Sequence, residues 1–215
     1  MPIVLYKTNV SPPARATLMI IDILGIKVET KEVNLPGREH YTPEYLEKNP
    51  LHTVPLLEDD DLTLADSHAI ITYLVSKYGG DEHEKLYPKE LKARAIVDQR
   101  LYFDATVLFQ RLISVIYGVV KRNQKLSDQQ IADIIEGYDI LEKYLSKTAY
   151  VAGDDVTVAD VSCVATLSSL NSIVPVDKKY IKIHNWWGQL QNEEWYQKIN
   201  VPGMKLLDGF IKQFL

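Results

Sequence analysis

The pattern of apolar and polar positions divides this chain into two parts. In the first eighty residues short strand-like runs alternate with helical segments. Residues 3–6 (IVLY) are an apolar run typical of a buried strand, and residues 27–33 (KVETKEV) alternate with a period of two. Between them, residues 14–24 are mainly apolar and stop before Gly25, a residue type that commonly closes a helix. This order predicts a parallel pair of strands joined by a right-handed crossover.

The alternation of strands and helices continues to a polar segment near residue 80, after which the predicted elements are helices. Strands are predicted at 54–57 and 62–65 and a helix at 67–78, and the polar, glycine-containing segment 79–85 is interpreted as a linker. Apolar residues at helical spacing then predict a long helix over 89–121, which bends or ends at Gly118. The further predicted helices cover 128–146, 158–172, 179–192 and 204–214. The sequence thus predicts a small α/β domain over residues 1–80 and an all-helical domain over residues 89–215.

Composition and charge narrow the class of protein. Hydrophobic residues make up 46% of the 215 and charged residues 25%, as in ordinary folded domains. The net charge of −5 argues against a nucleic-acid partner, which needs clustered Lys and Arg. No signal peptide or bilayer-spanning stretch is recognisable, so we expect a cytoplasmic protein without membrane contact. The single cysteine, Cys163, lies in an apolar run and is expected to be a buried, small apolar group.

Ser11, followed by Pro12, is a signal for the start of a helix. A serine side chain accepts hydrogen bonds from the free N–H groups there, and proline at the first helical position loses nothing by lacking an N–H. Ser11 is therefore either a cap alone or also a functional group. A helix start directly after the first strand of an α/β unit favours an anion, including a thiolate. A hydroxyl that donates to a thiolate would raise the ionised fraction of a thiol, whose ordinary pKa is about 8.5.

Pro55 stands inside the strand-like run 49–57 (NPLHTVPLL). This position is unusual because proline cannot donate to a β-ladder. One explanation is a cis bond between Val54 and Pro55, which would turn the Val54 backbone outward to pair with another extended peptide. The other is an edge strand that begins after a loop.

Residues 66–70 (DSHAI) open the helix predicted at 67–78. Asp66 or Ser67 can cap that helix, which would explain both residues structurally. They also offer a carboxylate, a hydroxyl and free N–H groups at a second helix start. Such a set suits the zwitterionic end of an amino acid, because its carboxylate would meet the helix start and its ammonium would meet Asp66.

Five strings occur in a specific order and spacing: 11–13 (SPP), 39–40 (EH), 49–55 (NPLHTVP), 66–70 (DSHAI) and 86–88 (LYP). Together they resemble the glutathione transferases, more narrowly the insect delta and epsilon classes, with a lean to epsilon. The resemblance runs along essentially the whole chain. It implies an α/β thioredoxin-like N-terminal domain with a cis-proline at Pro55, an all-α C-terminal domain, and a homodimer. It also implies glutathione as a cosubstrate, with no separate cofactor.

The resemblance implies roles for individual residues. Ser11 matches the serine that hydrogen-bonds the glutathione sulfur, and Val54 matches the residue whose backbone pairs with the cysteinyl unit. Asp66 and Ser67 match the pair that holds the γ-glutamyl end, although many relatives have Glu at the first of these positions. The glutathione-binding residues expected on this basis are His40, His52, Thr53, Val54, Pro55, Asp66, Ser67 and His68.

The histidines allow two interpretations. By resemblance, His40 and His52 lie near the glycyl carboxylate of glutathione. The alternative is two exposed loop histidines. The five histidines of the chain show no ligand spacing and have no cysteine partners, so no metal site is expected.

Tyr6 is a rival to Ser11, because some other transferase classes use an early tyrosine on the sulfur. Here Tyr6 ends the first strand before the turn, so we interpret it as a core residue or a neighbour of the site. In the helical half, residues 157–160 (TVAD) fit a capping box, with Thr157 as the cap and Asp160 in place of the usual Glu. The glutathione transferases that the chain resembles have the same capping box, whose role is structural.

The electrophile pocket, by resemblance, lies between Ser11 and the long helix. Its expected lining residues are Leu35, Phe109, Leu112, Ile113, Ile116 and Tyr117. Apolar residues at these spacings equally suit a plain helix core. Some epsilon-class members have Arg and Glu where this chain has Ile113 and Tyr117, so the resemblance implies a more apolar pocket, which suits hydrophobic electrophiles.

The expected function is conjugation of the glutathione thiolate to small hydrophobic electrophiles, as in detoxification and xenobiotic metabolism. One alternative is a non-catalytic protein of the same fold that sequesters hydrophobic ligands. A thioredoxin-like redox enzyme would need a cysteine where this chain has Ser11. An interaction domain that uses the fold only for assembly would have no need of Asp66 and Ser67.

Overall fold

The computed structural model describes residues 2–122 and 124–211. A four-stranded sheet has the order β2-β1-β3-β4. β1 pairs with β2 in parallel and with β3 antiparallel, and β3 pairs with β4 antiparallel. The parallel pair confirms the strand–helix–strand prediction. The strands are β1 (Val4–Lys7), β2 (Glu29–Glu32), β3 (Leu56–Asp59) and β4 (Leu62–Ala65).

The regular elements described beyond β4 are helical, which confirms the predicted fold class. Two short 3₁₀ turns cover Glu39–Tyr41 and Glu84–Leu86. Three π-helical turns cover Asp104–Leu108, Ile116–Lys121 and Tyr196–Asn200. The α-helices are α1 (Pro12–Ile23), α2 (Pro43–Lys48), α3 (Ser67–Tyr78), α4 (Leu91–Phe103), α5 (Phe109–Val115), α6 (Asp128–Leu145), α7 (Val158–Asn171), α8 (Ile181–Gln191) and α9 (Val201–Ile211).

Several element bounds differ from the predicted ones. α1 begins at Pro12, because the two prolines fill the first helical positions, where no N–H is needed. β3 begins at Leu56, because Pro55 has no N–H for the ladder. The pattern did not predict α2, which starts at Pro43 with Thr42 as its cap.

The long helix predicted over 89–121 is present as α4 and α5, each followed by a π-helical turn. Gly118, the predicted bend, lies inside the second of these turns. The last helix begins at Val201, earlier than the predicted residue 204. Residues 212–214 of that prediction lie outside the described part of the chain.

The main core lies between the sheet and the helices and continues into the helical part. Leu5 and Leu57 of the sheet belong to the same buried cluster as Met19 of α1, Ile71 of α3 and Cys163 of α7. Burial raises the pKa of the Cys163 thiol well above its ordinary value. Cys163 is thus a buried apolar group, as predicted.

Helix α7 is the central helix of this core, with residues 158–170 all buried. Its predicted capping box is confirmed: the Thr157 backbone N donates to Asp160 Oδ2 at 2.9 Å. The other oxygen of Asp160 accepts from Val151 N at 2.8 Å and from Trp186 Nε1 at 2.9 Å. Burial raises the pKa of Asp160. Asp160 therefore joins the start of α7 to α8 and has the structural role predicted for it.

Candidate functional site

Three of the predicted site segments meet at one end of the sheet. Leu56, at the start of β3, pairs with both Tyr6 of β1 and Ala65 of β4. Ser11 comes shortly after β1, and Asp66 comes directly after β4. The Val54–Pro55 bond directly precedes β3. The strand register therefore places two helix starts and the proline segment at the same end of the sheet.

Ser11 caps α1. Its backbone N donates to the carbonyl of Thr8 at 3.1 Å, and its Oγ accepts from the backbone N of Ala14 at 3.4 Å. The side chain is half-buried. Accepting a hydrogen bond does not use the hydroxyl proton, so Ser11 can cap the helix and donate to a ligand at the same time.

The Val54–Pro55 peptide bond is cis, as the resemblance implies. Pro55 is buried and Val54 is half-buried. The carbonyl of Thr53 accepts from Tyr45 Oη at 2.7 Å and from Asn49 Nδ2 at 3.0 Å. Helix α2 and the buried Asn49 thus hold the segment just before the cis bond.

Asp66 caps α3. Its Oδ1 accepts from the backbone N of His68 at 2.9 Å and of Ala69 at 3.3 Å. The Asp66 backbone has φ of 73°, a conformation that aspartate tolerates better than most residues. Its side chain is 60% exposed, whereas Ser67 is buried at the first helical position. The carboxylate of Asp66 is therefore both a cap and open to a ligand.

His68 connects Asp66 to the helical part of the molecule. Its Nδ1 lies 3.4 Å from Asp66 Oδ1, and its Nε2 lies 3.0 Å from Asp104 Oδ2 and 3.1 Å from Ser162 Oγ. Burial alone would lower the pKa of His68, but the hydrogen bonds and charges of the two carboxylates raise it to about 9. The ring is thus protonated at neutral pH. In turn, the hydrogen bond from His68 lowers the pKa of Asp66.

Asp104 and Ser162 were not among the predicted site residues. Asp104 is 2% exposed, and Ser162 Oγ donates to its Oδ2 at 2.6 Å. A sequence signal for Asp104 does exist: it stands three residues after Leu101 and four before Leu108, on the buried side of the long helix. A carboxylate in such a place needs a partner. The identity of that partner, His68, is set by the fold.

The two histidines predicted near the glycyl carboxylate lie close together. The ring centroids of His40 and His52 are 6.4 Å apart. Tyr41 stacks on His52 at 4.6 Å, and the Arg38 guanidinium lies 4.9 Å from the centroid of the Tyr41 ring. His52 has a positive φ of 46°. The sequence analysis did not foresee Tyr41 and Arg38 in this cluster.

The residues predicted for the electrophile pocket differ in exposure. Leu112 is fully buried in the main core. Leu35, Phe109, Ile113 and Ile116 are half-buried, and Tyr117 is 47% exposed. A cavity of about 500 Å³ lies beside Tyr117, lined mostly by polar residues such as Ser114, Gln130 and Arg122. Its polar lining differs from that of the apolar pocket that the sequence predicts.

Tyr6 lies on the other face of the sheet from Leu5. It packs in a small cluster with Tyr45 of α2, and the two ring centroids are 6.0 Å apart. Its hydroxyl donates to Glu58 Oε2 at 3.0 Å and accepts from Lys48 Nζ at 2.7 Å. Tyr6 thus occupies a packed position with its own polar partners, in agreement with the interpretation as a core residue.

Two features are absent from residues 2–122 and 124–211. No group of three or more His, Cys, Asp or Glu side chains in these ranges is arranged to hold a metal ion. No helix within the same ranges is long and apolar enough to cross a membrane.

The fold and site together define a class of two-domain proteins. A thioredoxin-like sheet unit with a cis-proline before its third strand is followed by an all-helical unit. Comparison of the sequence with known protein families identifies this class. Residues 5–82 match the family described as glutathione S-transferase, N-terminal domain, and residues 96–194 match glutathione S-transferase, C-terminal domain. The chain belongs to the glutathione S-transferase family.

Individual relatives agree with this assignment. The chain is 45% identical over 211 residues to glutathione S-transferase 1 of Manduca sexta, with 96% of each chain covered. It is 44% identical to an epsilon-class glutathione S-transferase from the housefly, Musca domestica, with a TM-score of 0.95 and coverage of 98% and 97%. A glutathione transferase homolog from Drosophila mojavensis, solved with bound glutathione, is 41% identical, with a TM-score of 0.95 and coverage of 99% and 97%. The predicted family, fold and enzyme class, a glutathione transferase, are confirmed.

Proposed function

We propose that the end of the sheet next to Ser11 and Asp66 binds glutathione and presents its thiolate to a hydrophobic electrophile. The observation that carries this proposal is the common register of β1, β3 and β4, which brings two helix starts and the cis-proline segment together. In the substitution reaction a carbon–sulfur bond forms while a halide leaves with its bonding electrons. The thiol proton passes to solvent before the attack. Addition to an activated double bond and elimination of hydrogen halide use the same thiolate.

Ser11 is the residue that we assign to the sulfur. Its Oγ is held by the hydrogen bond from Ala14 N, and the hydroxyl proton is available for donation. The positive end of the α1 dipole acts on the same atom. Each unit by which these groups lower the thiol pKa corresponds to about 1.4 kcal/mol.

The two ends of the tripeptide have separate sites in this proposal. The γ-glutamyl ammonium binds the exposed carboxylate of Asp66, and the γ-glutamyl carboxylate binds Ser67 and the start of α3. His68 contacts the carboxylate of Asp66, which fixes its position, and lowers its pKa so that it stays ionised. At the other end, the adjacent rings of His40 and His52 bind the glycyl carboxylate.

The cysteinyl unit lies between these ends. Its backbone pairs with the backbone of Val54, flanked by Thr53 and Pro55, as an added extended strand. The hydrogen bonds from Tyr45 and Asn49 to the Thr53 carbonyl support this role, because they hold the segment at the end of the sheet.

The electrophile is assigned to the apolar surface next to the long helix. The half-buried residues Phe109, Ile113 and Ile116 offer apolar contact there, with Leu35 and Tyr117 at its margins and Leu112 behind them in the core. A mainly apolar surface selects hydrophobic electrophiles, in keeping with detoxification of xenobiotic compounds.

The proposal extends to assembly and location. Ala95, Gln99 and Tyr102 follow one face of α4 and are all exposed, Tyr102 to 70%. Exposed aromatic surface on a helix suits a protein interface, here that of a homodimer in the cytoplasm. We place the glutathione-binding domain at residues 1–80 and the electrophile-binding domain at residues 89–215.

Turnover of a generic aryl halide with glutathione tests the role of Ser11. We expect Ser11→Ala to lower kcat about 100-fold, the usual effect of removing one hydrogen-bond donor to a developing anion. Ser127→Ala is the matched control, because Ser127 caps α6 in the same way, with its Oγ accepting from Gln130 N at 3.2 Å. This control loses a helix cap, costing about 1 kcal/mol of stability, but keeps its kcat.

Two results would change the assignment. Equal activity of Ser11→Ala and Ser127→Ala would remove Ser11 from the chemistry. Tight glutathione binding without turnover of any electrophile tried would favour a non-catalytic protein that sequesters ligands.

A further inference from the structure

Arg15 is a fully buried cation on the first turn of α1. Its Nη1 donates to the carbonyl oxygen of Val10 at 3.0 Å and to that of Asn9 at 3.4 Å. These two residues directly precede Ser11. The guanidinium therefore holds the backbone of the turn from which Ser11 enters α1.

The other nitrogens of Arg15 are held by the helical part of the molecule. Its Nε donates to Asn200 Oδ1 at 2.8 Å, and its Nη2 donates to Ser169 Oγ at 2.6 Å and to the Ala165 carbonyl at 3.2 Å. Asn200 and Ser169 are fully buried themselves. One planar group thus connects the turn before α1 to α7 and to the turn that leads into α9.

These acceptors are neutral, so Arg15 keeps a net positive charge beside the start of α1. Burial lowers the pKa of Arg15 to about 10, against the raising effect of the electrostatic interactions with Tyr196 and Asp208. The guanidinium is still protonated at neutral pH. A buried positive charge next to a helix start favours an anion there, in the same direction as the helix dipole.

Helix α9 lies directly on this group. A Cβ atom added at Gly203 would stand 2.3 Å from Arg15 Cδ and 2.7 Å from the Asn9 carbonyl oxygen. Both separations are far shorter than van der Waals contact, and one of the two atoms belongs to the backbone. Only glycine at this position lets α9 approach so closely, which makes the contact specific to Gly203.

We propose that Arg15, Asn200 and Gly203 form an interdomain clamp through which α9 positions Ser11 for the thiolate. Arg15 is a positioning residue, since it contacts the backbone before Ser11 and acts through it. The inference rests on the proposed role of Ser11 at the sulfur. Displacement of a reacting group by about 1 Å can cost about 100-fold in rate, so a small shift of this turn is enough to matter.

The variant Gly203→Ala tests the clamp, because the new methyl group displaces Arg15 or Asn9. We expect the pKa of bound glutathione, titrated by thiolate absorbance on the full-length protein, to rise by about one unit, a tenfold loss of thiolate near neutral pH. We expect kcat at neutral pH to fall in proportion and KM for glutathione to change less than about threefold, because the γ-glutamyl and glycyl sites are untouched. Gly209→Ala, on the same helix with open space around the added atom, is the matched control and should leave the thiol pKa unchanged.

A double-mutant cycle with Ser11→Ala separates the clamp from a general structural effect. If the clamp acts through Ser11, Gly203→Ala has no further effect on the thiol pKa once Ser11 is alanine. An equal effect in both backgrounds, or no effect of Gly203→Ala in the native background, overturns the clamp. If Ser11→Ala alone leaves the thiol pKa unchanged, the proposed role of Ser11 fails, and the clamp that acts through it fails too.

A second variant keeps the test decisive if Gly203→Ala does not fold. Ser169→Ala removes the 2.6 Å partner of Arg15 Nη2 with a loss of one oxygen atom. We expect a thiol pKa change of the same sign, equivalent to about threefold less thiolate. An unchanged thiol pKa in folded Ser169→Ala overturns the inference.

Discussion

Nε2 of His68 lies 3.0 Å from Oδ2 of Asp104, and this contact joins α3 to the π-helical turn after α4. Ser162 donates to the same carboxylate oxygen at 2.6 Å. Because Asp104 is buried, loss of His68 would leave its carboxylate without this positively charged partner. The start of α3, which we propose to bind glutathione, is therefore tied energetically to the helical domain.

The first prediction concerns pH and stability. The pKa of His68 is about 9 in the folded protein against 6.5 for an ordinary histidine, so its contribution to stability is fully present below about pH 6.5 and is lost as pH rises through 9. That difference corresponds to about 3 kcal/mol. Urea unfolding at fixed protein concentration, between pH 6.5 and 9.5, should show the native chain losing stability relative to His68→Gln.

The control for this prediction is His184→Gln, since His184 is an exposed histidine on α8. Its stability should fall with pH in parallel with that of the native chain. If the curve of His68→Gln also runs parallel to the native one, the ionised contact with Asp104 does not contribute as we describe.

The second prediction separates the charge of Asp66 from its capping role. Asparagine caps helices as well as aspartate and also tolerates positive φ, so Asp66→Asn should fold with α3 still capped. Its stability should fall only by the part of the His68 stabilisation that the Asp66 charge provides. It loses the charge that we propose to meet the γ-glutamyl ammonium. A charge-assisted hydrogen bond contributes about 1.5–3 kcal/mol, so KM for glutathione should rise about 10- to 100-fold in steady-state assays.

Glu90→Gln is the matched control for Asp66→Asn. Glu90 caps the corresponding two N–H groups of α4, its carboxylate accepting from Lys92 N at 3.0 Å and from Ala93 N at 2.7 Å. The loss of this second capping charge should leave KM for glutathione within about twofold of native. Similar KM values for the two variants would mean that Asp66 is a cap and nothing more.

Local signals predicted much of this molecule from sequence. Ser11 and Thr157 were predicted as caps, and Asp66 as one of two possible caps of α3, because capping depends on residues two or three apart. The long helices followed from their periodicity. The hydrogen-bond partners of His68 and Arg15 were not predicted, because they lie far from these residues in the sequence. Asp104 is 36 residues from His68, and Asn200 is 185 residues from Arg15. A local sequence pattern cannot predict contacts between residues so far apart in the chain.

The third prediction concerns Tyr6. Its hydroxyl is engaged by Glu58 and Lys48 on the face of the sheet that α2 covers. Tyr6→Phe should therefore keep kcat and KM for glutathione within about twofold of native while losing about 1 kcal/mol of unfolding free energy with that hydrogen bond. Parallel kinetics and urea unfolding check both parts. A large fall in kcat at unchanged stability would instead assign Tyr6 to the chemistry.

The last prediction concerns the proposed electrophile surface at Ile113. Replacement of its half-buried apolar side chain by a polar one, Ile113→Gln, removes apolar contact worth about 1–3 kcal/mol. We expect kcat/KM for a hydrophobic aryl halide to fall about tenfold, with KM for glutathione within about twofold of native, because the proposed tripeptide site lies on the other domain. Ile181→Gln, at a 62% exposed position on α8, is the control and should change neither constant. If Ile113→Gln behaves like this control, Ile113 belongs to the helix surface and the electrophile binds elsewhere.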